Sequence, residues 1–221
     1  MKRLALVIAS VVAATSFVAL TTPTAQAAVK CSNVSIKQST PLTIKQPFKP
    51  ANPLPKKLTF NTNCGIIEVT LNPKAPQTIT NLAALARGSY FNNTFCHRLT
   101  TQGLFVLQCG DPTFTGGGNP TGWKGYKEEN LPKQATNNYP VGTVAMANAG
   151  KGTNGSQMFF VYADTTLGPD YTIFGKITKG LDIIQYVASL KAVKQGTDGK
   201  WYYNPDGYPF QTVKIISVKV S

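Results

Sequence analysis

FCHRLTTQGLFVLQCGD, residues 95–111, carries the only histidine of the chain, His97, and one of its three arginines, Arg98. Two apolar-rich runs, Phe95–Leu99 and Leu104–Gln108, flank the polar Thr100-Thr101-Gln102-Gly103, a pattern that predicts two strands joined by a short turn. Nineteen lysines supply the cations almost everywhere else, so an arginine beside a hydrophobic strand is a chemical choice. Its planar, permanently charged fork can meet neutral acceptors in a semi-dry site, where a strongly hydrated ammonium serves poorly. Arg98 is therefore the first candidate functional residue. His97 alternates to the opposite face, where a core histidine with its hydrogen bonds satisfied is favoured over a catalytic base.

Outward from this pair the chain punctuates often. Leu58–Asn63 and Ile66–Leu71 read as strands around an Asn63-Cys64-Gly65 turn. Pro76 opens a helix with Ile79, Leu82, Ala83 and Ala86 on one face, and Gly88 closes it. A loop rich in Gly, Pro and Asn spans Pro112–Pro140. Thr143–Ala147, Met158–Tyr162 and Tyr171–Ile177 are short strands, and Leu181–Leu190 is a second helix with Ile184, Val187 and Ala188 on one face. A loop carrying Trp201, Tyr202 and Tyr203 precedes a closing strand, Thr212–Val220. Many short strands with two helices point to an antiparallel barrel with a helix over each open end.

The N-terminal part has a different character. Lys2-Arg3, the apolar stretch Leu4–Leu20 and Ala25-Gln26-Ala27 read as a secretory signal over 1–27. Ser10, Thr15, Ser16 and the nearby Pro23 argue against a retained span, so no stable membrane insertion is expected after cleavage. Residues 28–57 form a proline-rich extension whose five prolines between Gln38 and Lys57 favour an extended tether on or beside the domain at 58–221. A net charge of +13 suits anionic surfaces, yet the lysines are scattered with no interleaved aromatics. The expectation is a solvated basic surface, no specific nucleic acid, and a monomer.

Two motifs carry less than they promise. Gly150-Lys-Gly-Thr-Asn-Gly155 fits G-x-G-x-x-G, but the strand-like Ser156–Tyr162 follows where a nucleotide loop would open a helix. One histidine and four separated cysteines without C-x-x-C offer no metal spacing, so neither metal nor cofactor is expected.

The ordered set of motifs Phe95-Cys-His-Arg-Leu99, Leu104-Phe-Val-Leu-Gln-Cys-Gly-Asp111, Met146-Ala-Asn-Ala-Gly150, Thr153-Asn-Gly-Ser-Gln-Met-Phe159 and Tyr171-Thr-Ile-Phe-Gly175, with Asn130, resembles the cyclophilin family from about Leu58 onward. The Cys-His-Arg and Gln-Cys-Gly-Asp variants look most like secreted or surface cyclophilins of actinobacteria. The resemblance implies a mainly β fold, an eight-stranded antiparallel barrel capped by two helices, and peptidyl-prolyl cis–trans isomerisation. It implies Arg98 and Gln108 as the catalytic pair. Substrate contacts would come from Phe105, Val106, Met146, Ala147, Asn148, Gln157, Phe159, Leu167 and Tyr171. Strict alternation puts Phe105 and Gln108 on opposite faces, so a bulge or the long turn must re-aim one of them. Thr166 stands where many eukaryotic members have tryptophan, which implies weak cyclosporin binding.

The leading reading is thus a secreted or cell-surface isomerase acting on proline-containing polypeptides. The alternative is a chaperone-like or adhesive module that grips such segments. Export would place all four cysteines in an oxidising setting where they allow three pairings, and the expected one is Cys31–Cys64 with Cys96–Cys109.

Overall fold

The computed structural model describes residues 28–221, and the expected leader at 1–27 lies outside them. Twelve strands and two helices follow Lys57: β1 (Lys57–Thr62), β2 (Gly65–Leu71), α1 (Pro76–Arg87), β3 (Thr94–Phe95), β4 (Arg98–Thr100), β5 (Val106–Cys109), β6 (Thr143–Met146), β7 (Met158–Val161), β8 (Ile173–Lys179), α2 (Leu181–Ser189), β9 (Ala192–Gln195), β10 (Trp201–Tyr203), β11 (Asp206–Pro209) and β12 (Lys214–Val220). All the ladders are antiparallel, in the order β10-β9-β11-β4-β5-β7-β6-β8-β2-β1-β12-β3.

Alternation builds the core. Leu58 and Phe60 on β1, Ile67, Val69 and Leu71 on β2, and Ile215 on β12 are buried together with Leu107, Phe160 and Phe174. Helix α1 begins at Pro76 because proline's missing N–H costs nothing in the first turn. No side chain within the helix caps it; instead the carboxylate of Glu129 accepts the N–H groups of Gln77 and Thr78, at 3.1 and 2.8 Å. Ile79, Leu82, Ala83, Leu85 and Ala86 then face inward, as their spacing requires. In α2, Ile183, Ile184 and Val187 are the buried face.

The fold class stands, and three details differ from the sequence reading. The strand order has two ends, so the ladder is an open twelve-stranded sheet rather than a closed eight-stranded barrel. The strand expected over Phe95–Leu99 is split in two. Thr94–Phe95 pairs with β12 and Arg98–Leu99 with β5, so contiguous residues meet distant parts of the strand order and the sheet curls around its core. Between the halves the Cys96 N–H donates to Val213 O and the His97 N–H to Gln108 O, both at 3.0 Å. Cys96 is there bonded to Cys109, at the end of β5. The third difference is the segment expected as a loop around Trp201–Tyr203. It is a three-stranded flap, β10-β9-β11, whose last strand continues the sheet beside β4. Gly207 permits that junction, since a Cβ there would run into the carbonyl of Val193.

Residues 28–56 contain no helix or strand and lie against the domain as a strap. The disulfide Cys31–Cys64 ties it to the first hairpin. Ser32 N–H donates to Asn63 O, Ser39 N–H to Pro112 O, and the Trp123 indole to Ile44 O, while Val29, Ile44 and Leu54 pack on the core. Proline leaves the strap few donors, so its anchors are mostly side chains and carbonyls. Among the described residues no helix is long and apolar enough to cross a membrane.

Candidate active site

Arg98 on β4 and Gln108 on β5 are direct cross-strand partners, so both side chains leave the same face of the sheet. The Arg98 Nη1 donates to Gln108 Oε1 at 3.4 Å, a long bond. A stronger hold comes from the flap. β11 pairs with β4 through Asp206↔Thr100 and Gly207↔Leu99, which brings the Asp206 carboxylate against the guanidinium. Arg98 Nε and Nη2 donate to Asp206 Oδ1 and Oδ2, each at 2.7 Å. This fork-to-fork geometry fixes a plane as well as a distance. The bond to Arg98 holds the Asp206 carboxyl below its ordinary value, against a smaller opposing effect of burial. The same bond to Asp206 pushes the pKa of the Arg98 guanidinium up, against a smaller opposing effect of burial. Both side chains are more than a third exposed, so the pair orients Arg98 more than it stabilises the fold.

Gln108 is oriented in turn. Its Nε2 donates to Gln157 Oε1 at 2.9 Å, and Gln157 Nε2 donates to the carbonyls of Gly116 and Gly118 at 2.8 and 3.1 Å. Two main-chain carbonyls thus set the direction of both amides, leaving Gln108 Oε1 free to accept from Arg98. A guanidinium has five N–H groups, and three are engaged by Asp206 and Gln108. The remaining two face no protein acceptor among these bonds.

Beside this charge lies a small cavity of 160 Å³. Val106, Phe159, Leu167 and Leu104 make its apolar wall, with Arg98 and Gln108 on its rim. Phe159 is braced edge-on by Tyr171 at 5.7 Å and, in a tilted contact, by Tyr139 at 6.1 Å. Asn138 clamps Leu167, donating to its carbonyl at 2.7 Å and accepting its N–H at 3.0 Å. Ala147 and Asn148 also line this cavity, and with Gln108 and Gln157 they line a second groove of 210 Å³.

Most of the residues expected from the sequence therefore converge: Arg98, Gln108, Val106, Ala147, Asn148, Gln157, Phe159, Leu167 and Tyr171 surround one site. Phe105 does not line it. Its ring turns the other way and packs edge-on against Tyr162 at 5.9 Å, while Leu104 takes the place expected for it. The alternation that troubled the sequence reading is the reason, because Leu104, Val106 and Gln108 share a face. Met146 is also misplaced in the expectation. It is fully buried in the core, since β6 sends Ala145 and Ala147 toward the site and Val144 and Met146 inward. Asp206 was missed altogether, in a stretch read as loop, and no local motif marks it. Thr166 is exposed, away from the cavity wall, where its Oγ1 accepts the Asn137 N–H at 2.9 Å.

A sequence profile described as "Cyclophilin type peptidyl-prolyl cis-trans isomerase/CLD" matches residues 57–220. The chain is 42% identical over 161 residues to "Probable peptidyl-prolyl cis-trans isomerase B" of Mycobacterium leprae, covering 68% of this chain and 54% of that protein. It is 40% identical over 162 residues to the protein of the same name in Mycobacterium tuberculosis, covering 68% of this chain and 52% of the relative. The chain thus spans about half the length of these curated relatives. Among solved structures it is similar to a cyclophilin type peptidyl-prolyl cis-trans isomerase of Cryptosporidium parvum crystallised in the presence of the dipeptide Ala-Pro. That match has a TM-score of 0.60 and 25% identity, and covers 75% of this chain and 98% of that one.

His97 is buried as expected but not satisfied: among the described residues neither ring nitrogen has a hydrogen-bond partner. Burial pushes its pKa down, and the opposing effect of the Asp111 carboxylate does not restore it. The folded state therefore holds a neutral ring, while the unfolded chain takes up a proton below about pH 6.5. Because the unfolded state binds more protons there, stability falls as pH drops below that value and stops falling below the depressed folded pKa. The urea midpoint should accordingly drop between pH 7 and pH 5, and His97→Phe should remove most of that drop. An equal drop in the two proteins would assign it to other groups.

Proposed function

The chain belongs to the cyclophilin-type peptidyl-prolyl cis-trans isomerases, and from that premise we propose that it accelerates X–Pro bond rotation in extracytoplasmic polypeptides, with Arg98 stabilising the twisted amide. The observation that carries this reading is a guanidinium clamped by Asp206 and Gln108 at the lip of an apolar cavity.

Rotation about a peptide C–N bond meets a barrier of about 18–20 kcal/mol because resonance makes the bond partly double. No bond is broken, so catalysis needs only an environment that prefers the twisted amide to the planar one. When the bond twists, the prolyl nitrogen regains a lone pair and becomes a hydrogen-bond acceptor. A proline ring seated among Val106, Phe159 and Leu167 would bring that nitrogen beside Arg98. The N–H groups not engaged by Asp206 and Gln108 would donate to it, and each ~1.4 kcal/mol gained only in the twisted state is worth about tenfold in rate. Ala147, Asn148 and Gln157 would hold the flanking chain.

The setting outside the cytoplasm is supported by two disulfides, which persist in oxidising compartments, and by the basic and apolar character of residues 1–27. Exposed Thr166 supports weak cyclosporin binding, since it offers a methyl and a hydroxyl in place of a broad indole face.

Exchange spectroscopy on an X–Pro peptide tests the function directly. The protein should catalyse exchange, and folded Arg98→Lys should lose most of kcat/KM, because an ammonium cannot keep the fork to Asp206 and also reach the prolyl nitrogen. Near-wild-type turnover by Arg98→Lys would sink the mechanism. For cyclosporin, Thr166→Trp should tighten binding roughly ten- to a hundredfold, equivalent to about 1–3 kcal/mol of apolar burial. Nanomolar affinity of the unsubstituted protein would contradict this.

A further inference from the structure

Large aromatic side chains crowd the outer surface of the flap. Trp201 is 56% exposed, Tyr203 66% and Phe210 59%, and the three lie within ten positions of one another. Scattered exposed apolar residues are ordinary on a protein surface, whereas a contiguous set is not. Their contiguity follows from register. Tyr203 on β10 and Tyr208 on β11 both stand opposite Val193 on β9, so the three form one cross-strand row, with Trp201 two residues along on the same face. The rings touch: Trp201 meets Tyr208 edge-on at 6.0 Å, and Tyr203 meets Phe210 at 6.2 Å. Lys191 Nζ sits 5.4 Å from the Tyr203 ring centroid.

This strip continues into the candidate active site. Asp206 and Tyr208 project from the same side of β11, and Asp206 holds Arg98. A groove of 310 Å³ runs between the two, lined by Arg98, Gln108, Asp206, Tyr208 and Phe114. Phe114 stacks on Tyr208 at 4.9 Å with an interplanar angle of 13°. It does so with φ at 61°, a conformation costly for a bulky side chain and characteristic of functional sites.

We propose that the strip Trp201–Tyr203–Tyr208–Phe210 is a secondary binding platform for the substrate polypeptide itself, taking an aromatic or large apolar side chain remote from the proline. The proposal rests on the isomerase reading above and narrows its substrates to unfolded chain bearing such residues. Continuity with the Arg98 groove selects this occupant, since an extended chain leaving the proline cavity past Arg98 and Tyr208 is carried onto the strip. The spacing follows. From β4 to β10 there are three ladder steps, about 14 Å at ~4.8 Å each, which an extended chain covers in about four residues.

The test is a set of peptides with one proline and a tryptophan placed one to eight residues away on either side, against the same peptides with serine. Both Kd by titration and kcat/KM by exchange spectroscopy are read. Tryptophan should improve binding about tenfold with a maximum three to five residues from proline on one side. The double variant Trp201→Ser/Tyr203→Ser should lose that maximum while turning over a short proline tetrapeptide as before. No tryptophan preference, a preference without a maximum, or one that survives in the double variant would overturn the proposal. So would a wild-type dimer, seen by sedimentation, that the double variant loses, since the strip would then serve self-association. Failure of turnover with the short peptide would count against the isomerase reading alone, because the Kd profile reports the platform independently.

Discussion

A guanidinium at the lip of an apolar cavity is useful only if its plane is held, because an arginine side chain left free has about 2 kcal/mol of rotamer entropy to lose on each encounter. In this protein Asp206 supplies the plane and Gln108 a second point of attachment. Each depends on a different part of the architecture. Gln108 requires β4 and β5 in register, and the disulfide from Cys96 to Cys109 joins the residue two before Arg98 to the residue one after Gln108. That bond restricts slippage of the Arg98–Gln108 pair as well as the entropy of the unfolded chain. Asp206 requires the flap, and the flap requires β11 to approach both β4 and β9, for which Gly207 leaves room.

The polar groups behind the site follow one direction of donation. Main-chain carbonyls of Gly116 and Gly118 accept from Gln157, Gln157 accepts from Gln108, and Gln108 accepts from Arg98. The glycine-rich loop that supplies those carbonyls is itself organised around buried Asp111, whose carboxylate accepts from the N–H groups of Thr113, Thr115 and Gly116. Burial pushes the Asp111 carboxyl up, but the Thr113 hydroxyl and the loop N–H groups outweigh it and hold the carboxyl below its ordinary value. A charged anchor under the loop thus fixes the distant end of the relay that reaches Arg98.

Much of this was legible in residue order. The 3.6-residue spacing of Ile79, Leu82 and Ala86 marks α1, and the alternation in Leu58–Leu71 marks the first hairpin, because both elements bury one face. The expectation of an oxidising setting and the positions of the four cysteines were enough to anticipate both disulfides. Three misreadings share one cause, namely that local pattern does not register long-range pairing. Leu104 and Phe105 compete for one place, and only the pairing of β5 with β4 decides which faces Arg98. Met146 matches a motif yet alternates into the core. Asp206 is 108 residues from Arg98, and nothing near it announces a partner.

The claim that Arg98 acts from a plane set by Asp206 is tested most directly by kcat and KM for a short X–Pro peptide with Asp206→Asn and Asp206→Glu. Asparagine offers one neutral acceptor in place of two charged ones, so its kcat should fall at least several-fold with little change in KM. Glutamate keeps the fork and should recover part of the loss. A kcat for Asp206→Asn equal to that of the unsubstituted protein would contradict the account, since Arg98 would then find its working orientation without the flap.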